Sequence, residues 1–271
     1  MIRVMRLGAV LVALAMTAVS SGPGAESVHT LPSIPRDRVA TASPLVAAPD
    51  GGPDSPADAR PIWAGFAATH AVSDSLAAYA LADVDVYDAP GSASRLMTLP
   101  STTILGTVTV LGVIGVPGGD WVEVMLPTRP NGSTGFVDIA DVALYVADSQ
   151  LLVDLSDRRL SYYVDGVEVL ATDVGVGSVH NPTPTGEFFV TDSVTLADPN
   201  SPWGPHALGL SARSETITEF NGGDGIIGIH GTNNPGSIGG NISLGCVRLP
   251  NEMITALHSM VPIGTRVEIR A

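Results

Sequence analysis

Val84, Val86 and Tyr87 alternate with Asp83, Asp85 and Asp88, a period-two pattern that predicts a half-buried strand. Asp88-Ala89-Pro90-Gly91-Ser92 reads as the turn after it. A β-branched run over 107–113, the segment Trp121 to Leu126, and Phe136-Val137 predict further strands. Pro130 to Gly135 reads as a hairpin turn in which Asn131-Gly132 supplies the positive φ. Asp138 to Val142 predicts a short 3₁₀ turn. Five short strands in so little chain suggest a small β-barrel over 79–146.

The pattern resumes after Ser149. Leu151 to Gly166 predicts a hairpin that turns at Ser156-Asp157, with its second strand ending at Asp165-Gly166. Val167 to Val176 supplies a third strand. Pro182-Thr183-Pro184-Thr185-Gly186 predicts a rigid loop entering a strand at Phe188. Gly225 to Gly231 is an apolar strand that ends in His230. Three glycines and a proline make 232–242 a returning loop, and 251–260 predicts a helix with Asn251 at its N-cap.

The first 78 residues have no such periodicity. Arg3 and Arg6 precede an apolar run from Leu7 to Val19, followed by the small residues Ser20, Ser21, Gly22, Gly24 and Ala25. This is the layout of a secretory signal over 1–25, with an uncleaved membrane anchor as the alternative. No cysteine lies near the run to be acylated. Prolines at 32, 35, 44, 49, 53, 56 and 61 then interrupt an Ala-, Asp-, Gly- and Ser-rich stretch, so 26–78 reads as a linker.

Composition narrows the function. Of 271 residues, 45% are hydrophobic, enough for a substantial core, while 30 glycines and 21 prolines favour turn-rich β structure. The net charge is −14, and all 13 basic residues are arginine. Without lysine there is no Walker A loop, no Schiff-base chemistry and no Ser-x-x-Lys acylation motif. Without a basic stripe, nucleic-acid binding is excluded as a working reading. No cofactor motif is present.

Cys246 is the single cysteine, within Ser243-Leu244-Gly245-Cys246-Val247-Arg248-Leu249, sixteen positions after His230-Gly231. An exported chain with one thiol has no intramolecular disulfide to make, so a nucleophile with histidine as base explains the residue better. A free thiol, of pKa about 8.5, needs such help near neutrality. His230 would either take its proton or hold the thiolate as an ion pair.

These two segments, with Thr183-Pro184-Thr185-Gly186, resemble the signature of the YkuD-type L,D-transpeptidases. The resemblance covers 149–271 and implies a β-rich catalytic domain with one short C-terminal helix. The stretch 119–137 resembles bacterial SH3-like domains. The expected fold is therefore mainly β: an SH3-like barrel, then the catalytic domain.

The resemblance implies a peptidoglycan stem tetrapeptide as donor and a stem-peptide amine as acceptor, giving a 3→3 cross-link through a Cys246 thioester. Water as acceptor would make an L,D-carboxypeptidase, and a protein amine would make a wall-anchoring enzyme. It also implies acylation by carbapenems, action in the cell envelope, and orientation of His230 by the Gly231 carbonyl. Ser243 would hydrogen-bond substrate or stabilise its turn. N–H groups near Gly245 and Cys246 would face the oxyanion, and Gly245 would let the backbone approach substrate. Arg248 would bind a substrate carboxylate or pair with a buried acid. Two other classes stand against this one: a non-catalytic wall-binding protein, and a metal site on Cys246, His230 and His206, whose spacing suits zinc poorly.

Overall fold

The computed structural model describes residues 76–220 and 222–271, all within one compact unit. The signal segment and most of the linker lie outside the described residues. The fold is mainly β, with one short C-terminal helix.

Seven strands make the first sheet: β1 (Leu76–Ala80), β2 (Val84–Tyr87), β3 (Arg95–Leu99), β4 (Val110–Gly118), β5 (Trp121–Met125), β6 (Thr134–Asp138) and β7 (Val142–Val146). Their order is β3-β2-β6-β5-β4-β1-β7, and the pairings are antiparallel. Seven strands stand where five were expected: Leu76–Ala80 begins inside the stretch read as linker, Arg95–Leu99 has a polar, exposed face that hides its period, and Val142–Val146 follows directly on the 3₁₀ turn. The expected 3₁₀ turn spans Ile139–Asp141, and the Asp138 carboxylate caps it by accepting from the Ala140 N–H at 2.9 Å. At the 126–133 connection only Gly132 takes positive φ. Asn131 does not, and its amide reaches out of the turn instead.

The second sheet holds β8 (Ser149–Asp154), β9 (Arg159–Val164), β10 (Val167–Asp173), β12 (Gly186–Thr195), β13 (His206–Arg213), β14 (Ile226–His230), β16 (Val247–Arg248) and β17 (Arg266–Arg270). Its order is β10-β9-β8-β17-β12-β13-β14-β16, with β17 parallel to β8 and β14 parallel to β16. A parallel pair, β11 (Val176–Gly177) and β15 (Asn241–Ser243), stands apart. The β8–β9 hairpin turns where expected: the Asp154 carboxylate accepts from Asp157 N–H at 2.9 Å and from the Ser156 hydroxyl at 2.8 Å. Asp165 and Gly166 both adopt positive φ, as a two-residue turn between right-twisted strands requires.

Helix α1 (Asn251–Met260) follows β16 and buries Ile254 and Leu257, three residues apart on one face, against β13 and β14. Its N-cap is Pro250, not Asn251. Asn251 already lies in the helix, and its side chain is used elsewhere.

Two cores result. One gathers Leu151, Leu160, Phe188, Leu208, Ile229 and Leu257 with their neighbours. The other gathers Val86, Leu111, Val122, Val124 and Val137. Phe189 belongs to the second sheet by chain but to the first core by packing. Successive side chains of a strand point to opposite faces, so Phe188 and Phe189 enter different cores and tie the sheets together. Gly112 leaves the space that Phe189 fills: a Cβ there would stand 3.0 Å from the ring.

Candidate active site

β14 is buried at four of its five positions and carries His230 at its end, 4% exposed. The Nδ1–H of His230 donates to the Gly231 carbonyl at 2.6 Å. A carbonyl only accepts, so this contact sets the tautomer and leaves Nε2 as the basic nitrogen. The resemblance implied this carbonyl as the one that orients the ring, and it stands within hydrogen-bond reach of Nδ1. Among the described residues no carboxylate contacts the ring.

The Gly231 peptide is itself held. Its N–H donates to His206 O at 3.2 Å, and the next N–H, of Thr232, donates to Asn251 Oδ1 at 2.8 Å. A Cβ on Gly231 would collide with that same Asn251 oxygen. Asn251 is thus a positioning residue that sequence reasoning took for a helix cap. An Asn at a helix start serves either purpose, and only the approach of β14 decides between them.

Cys246 follows a tight turn. Its sulfur accepts from the Gly228 N–H at 3.4 Å, against the strand that ends in His230. The Ser243 hydroxyl donates to Cys246 O at 2.6 Å and accepts from Gly245 N–H at 3.1 Å. Ser243 therefore closes the turn, with its one proton in use. Gly245 N–H is likewise engaged. Gly245 has φ +117°, and a Cβ there would meet Ile227 Cδ1 at 2.9 Å, so conformation and packing both demand glycine. Thr183 is buried and bridges two segments: it accepts from Gly177 N–H and donates to Gly245 O, each at 2.8 Å. The Thr-Pro-Thr-Gly loop, expected to be structural, is so in a way that bears on Cys246. Its signal lay in the sequence, but its target lies 62 residues away.

β14 and β16 pair in parallel, which sets His230 opposite Arg248. Aligned side chains of a parallel pair share a face. His230, Cys246 and Arg248 line one cavity of about 290 Å³, whose other walls are largely apolar, among them Trp203, Ile217, Phe220 and Leu244. The Trp203 ring packs on His230 with centroids 4.5 Å apart, and Phe220 lies 6.2 Å beyond Trp203. Arg248 Nε is buried with no hydrogen-bond partner among the described residues.

Electrostatics follow from this dryness. Burial lowers the His230 pKa to about 4, helped by the Arg248 charge and opposed by the Gly231 contact. Burial raises the Cys246 pKa, opposed by the Gly228 hydrogen bond and by Arg248. Both groups are therefore uncharged at rest near neutrality, which favours proton transfer over a standing ion pair.

His206 is not in this cavity. Its ring stacks on His258, centroids 4.1 Å apart, while Thr195 and Ser193 hydroxyls contact the pair. Among the described residues no three His, Cys, Asp or Glu side chains group to hold a metal ion.

Fold and cavity together define a mainly β protein in which one thiol and one buried imidazole line the same largely apolar pocket. The family model of the L,D-transpeptidase (YkuD) catalytic domain matches residues 148–269. Over 128 residues the chain is 34% identical to the putative L,D-transpeptidase YkuD of Bacillus subtilis, covering 47% of this chain and 64% of that protein. Over 133 residues it is 32% identical to the putative L,D-transpeptidase YqjB of the same organism, covering 45% and 71%. An L,D-transpeptidase structure from Mycobacterium smegmatis is similar at 18% identity and TM-score 0.37, across 59% of this chain and 99% of that one. The chain belongs to the L,D-transpeptidase family. It spans 64% of the length of YkuD.

Proposed function

We propose that the protein forms 3→3 cross-links between peptidoglycan stem peptides through a thioester on Cys246. The observation that carries this reading is the imidazole of His230, its Nδ1–H held by Gly231 O, in one cavity with the only thiol of the chain.

The steps follow from those groups. His230 Nε2 takes the thiol proton as sulfur attacks the amide carbonyl of the donor tetrapeptide. With Gly245 N–H held by Ser243, the Cys246 N–H is the donor assigned to the oxyanion. Collapse breaks the C–N bond, and His230 returns the proton to the departing D-alanine amine. The acceptor amine then attacks the thioester while His230 takes a proton from it. The peptide bond forms and the thiol is restored. Arg248, with its buried unpartnered Nε, binds a donor carboxylate. Its charge also favours thiolate over imidazolium, as both shifts record.

The walls around Cys246 are dry enough to disfavour water, which supports an amine acceptor over carboxypeptidase action or another acceptor class. The same thiol is proposed to be acylated by carbapenems. The first sheet is proposed to be an SH3-like module that packs against the catalytic domain and meets the wall. The arginines and apolar run at the N-terminus support export to the envelope, with 79–146 and 149–271 as the two domains.

The test is incubation of the purified chain with a disaccharide-tetrapeptide, beside Cys246→Ala, with products read by mass spectrometry. A cross-linked dimer that has lost D-alanine, absent from the control, is expected. Tripeptide alone would make it a carboxypeptidase. No turnover and no covalent carbapenem adduct would leave a wall-binding protein.

A further inference from the structure

One wall of the Cys246 cavity is not secured from its own sheet. Between β13 and β14 the structure describes residues 214–220 and 222–225, and Ser214, Ile217 and Phe220 from this segment line the cavity. Ser214 N–H donates to Gly225 O at 2.8 Å and closes the neck. Arg213, buried beneath it, pairs with Asp224 at 2.7 Å. Beyond that neck, the carbonyls of Ser214, Ile217 and Asp224 turn away from the cavity toward the first sheet.

They meet Arg129. Its Nε and Nη2 donate to Ser214 O at 3.1 and 2.9 Å, and Nη2 also reaches Ile217 O at 3.2 Å and Asp224 O at 2.6 Å. No carboxylate pairs with Arg129 among the described residues, so the guanidinium serves three carbonyls instead. Two residues on, Asn131 forms a two-way amide pair with Arg213: Nδ2 donates to Arg213 O, and Arg213 N–H donates to Oδ1, each at 2.8 Å. Gly225 makes room: it has φ +73°, and a Cβ there would stand 2.9 Å from Arg129 Nη2 and collide with Ile217 O.

We infer that Arg129 and Asn131 are positioning residues for the chemistry at Cys246, clasping the 214–225 segment so that Ile217 and Phe220 form a fixed wall of the donor site. The chain of contact is continuous: guanidinium to carbonyls, segment to Phe220, Phe220 to Trp203, Trp203 to His230. A planar fork with five donors suits several carbonyls at once, whereas an ammonium serves them as a point charge. The hairpin carrying both residues belongs to the first sheet, so that sheet has a part in the reaction without a side chain in the cavity. The inference rests on the reading of this cavity as the transpeptidase donor site.

The experiment uses the full chain and its Arg129→Ala, Arg129→Lys and Asn131→Ala variants. Two quantities are read: hydrogen exchange of the amides in 214–225, and KM and kcat for the tetrapeptide donor. A loosened wall misplaces the donor before chemistry, so Arg129→Ala should raise KM about tenfold with kcat within about threefold. Exchange in 214–225 should rise about tenfold, with Arg129→Lys recovering part of both. Asn131→Ala keeps the guanidinium contacts and should fall between, which covers failure of Arg129→Ala to fold. A lower melting temperature with KM and segment exchange unchanged would assign the clasp to stability alone and overturn the inference. If no form of the protein turns over the donor, the proposed reaction fails, and exchange still decides the clasp.

Discussion

The two sheets follow different burial rules. In the first, β2 and β6 alternate buried and half-exposed positions, so each strand keeps one face toward water. In the second, six consecutive residues of β13 and four of β14 are buried: Leu208, Leu210, Ala212, Ile227 and Ile229 enter the core, and the opposite face, with Ser211 and His230, is covered as well. The consequence is chemical. A side chain at the end of a two-faced strand lies in dry surroundings, and His230 there is held neutral by burial. Aromatic residues on the first sheet stay nearer solvent: Trp121 is half-buried, edge-on to Tyr87 at 5.3 Å.

That contrast is most exposed to test at the thiol. Cys246→Ala should reduce turnover of the tetrapeptide at least about a thousandfold while the melting curve stays close to wild type, since all nucleophilic chemistry rests on one atom. Comparable turnover in the variant would detach the dry cavity from the reaction.

Phe189 crosses the boundary between the sheets. Phe189→Ala should cost about 3–5 kcal/mol in a denaturant titration, because it empties the first core from a strand of the second sheet. A cost below about 1 kcal/mol would mean the two cores do not share it.

The dryness at His230 has a pH signature. Its folded pKa, about 4, lies below the ordinary histidine value, so the unfolded chain binds the proton more readily. The stability contributed is complete above pH ~6.5 and is lost as pH falls toward ~4, by roughly 3 kcal/mol in all. Denaturant midpoints of wild type and His230→Gln should converge across that window. Parallel curves would place the ring in water.

The smallest effect belongs to Asn251. Asn251→Ala strips the Thr232 N–H of its acceptor and should cost about 1–2 kcal/mol. It should also lower kcat about tenfold by loosening the Gly231 carbonyl that orients His230. Unchanged kcat would show that the ring is held by Trp203 packing alone.

Much of this was legible locally. Strand β14 ending in histidine, the hairpin at Asp165-Gly166, the 3₁₀ turn after Asp138 and the helix over 251–260 each follow from neighbours a few residues apart. Cys246 and His230 were legible because a lone thiol beside glycine, with a histidine in reach, has few structural uses. The partners of Arg129, Thr183 and Asn251 were not. The carbonyl that Thr183 holds is 62 positions away, and those that Arg129 holds are 85 to 95 away. Neither residue sits in a pattern that names its acceptor.

The sequence by itself determined the periods of the strands, the glycine at the positive-φ turn before the thiol, and the residue types able to do acyl transfer. Each depends on the steric or chemical nature of a residue and its near neighbours. Only the tertiary structure decided that Phe188 and Phe189 part into two cores, that Asn251 serves the loop after His230 and not its helix, and that the imidazole is dry enough to rest uncharged. Burial and hydrogen-bond satisfaction are properties of what packs against a group, and the packing partners come from every part of the chain.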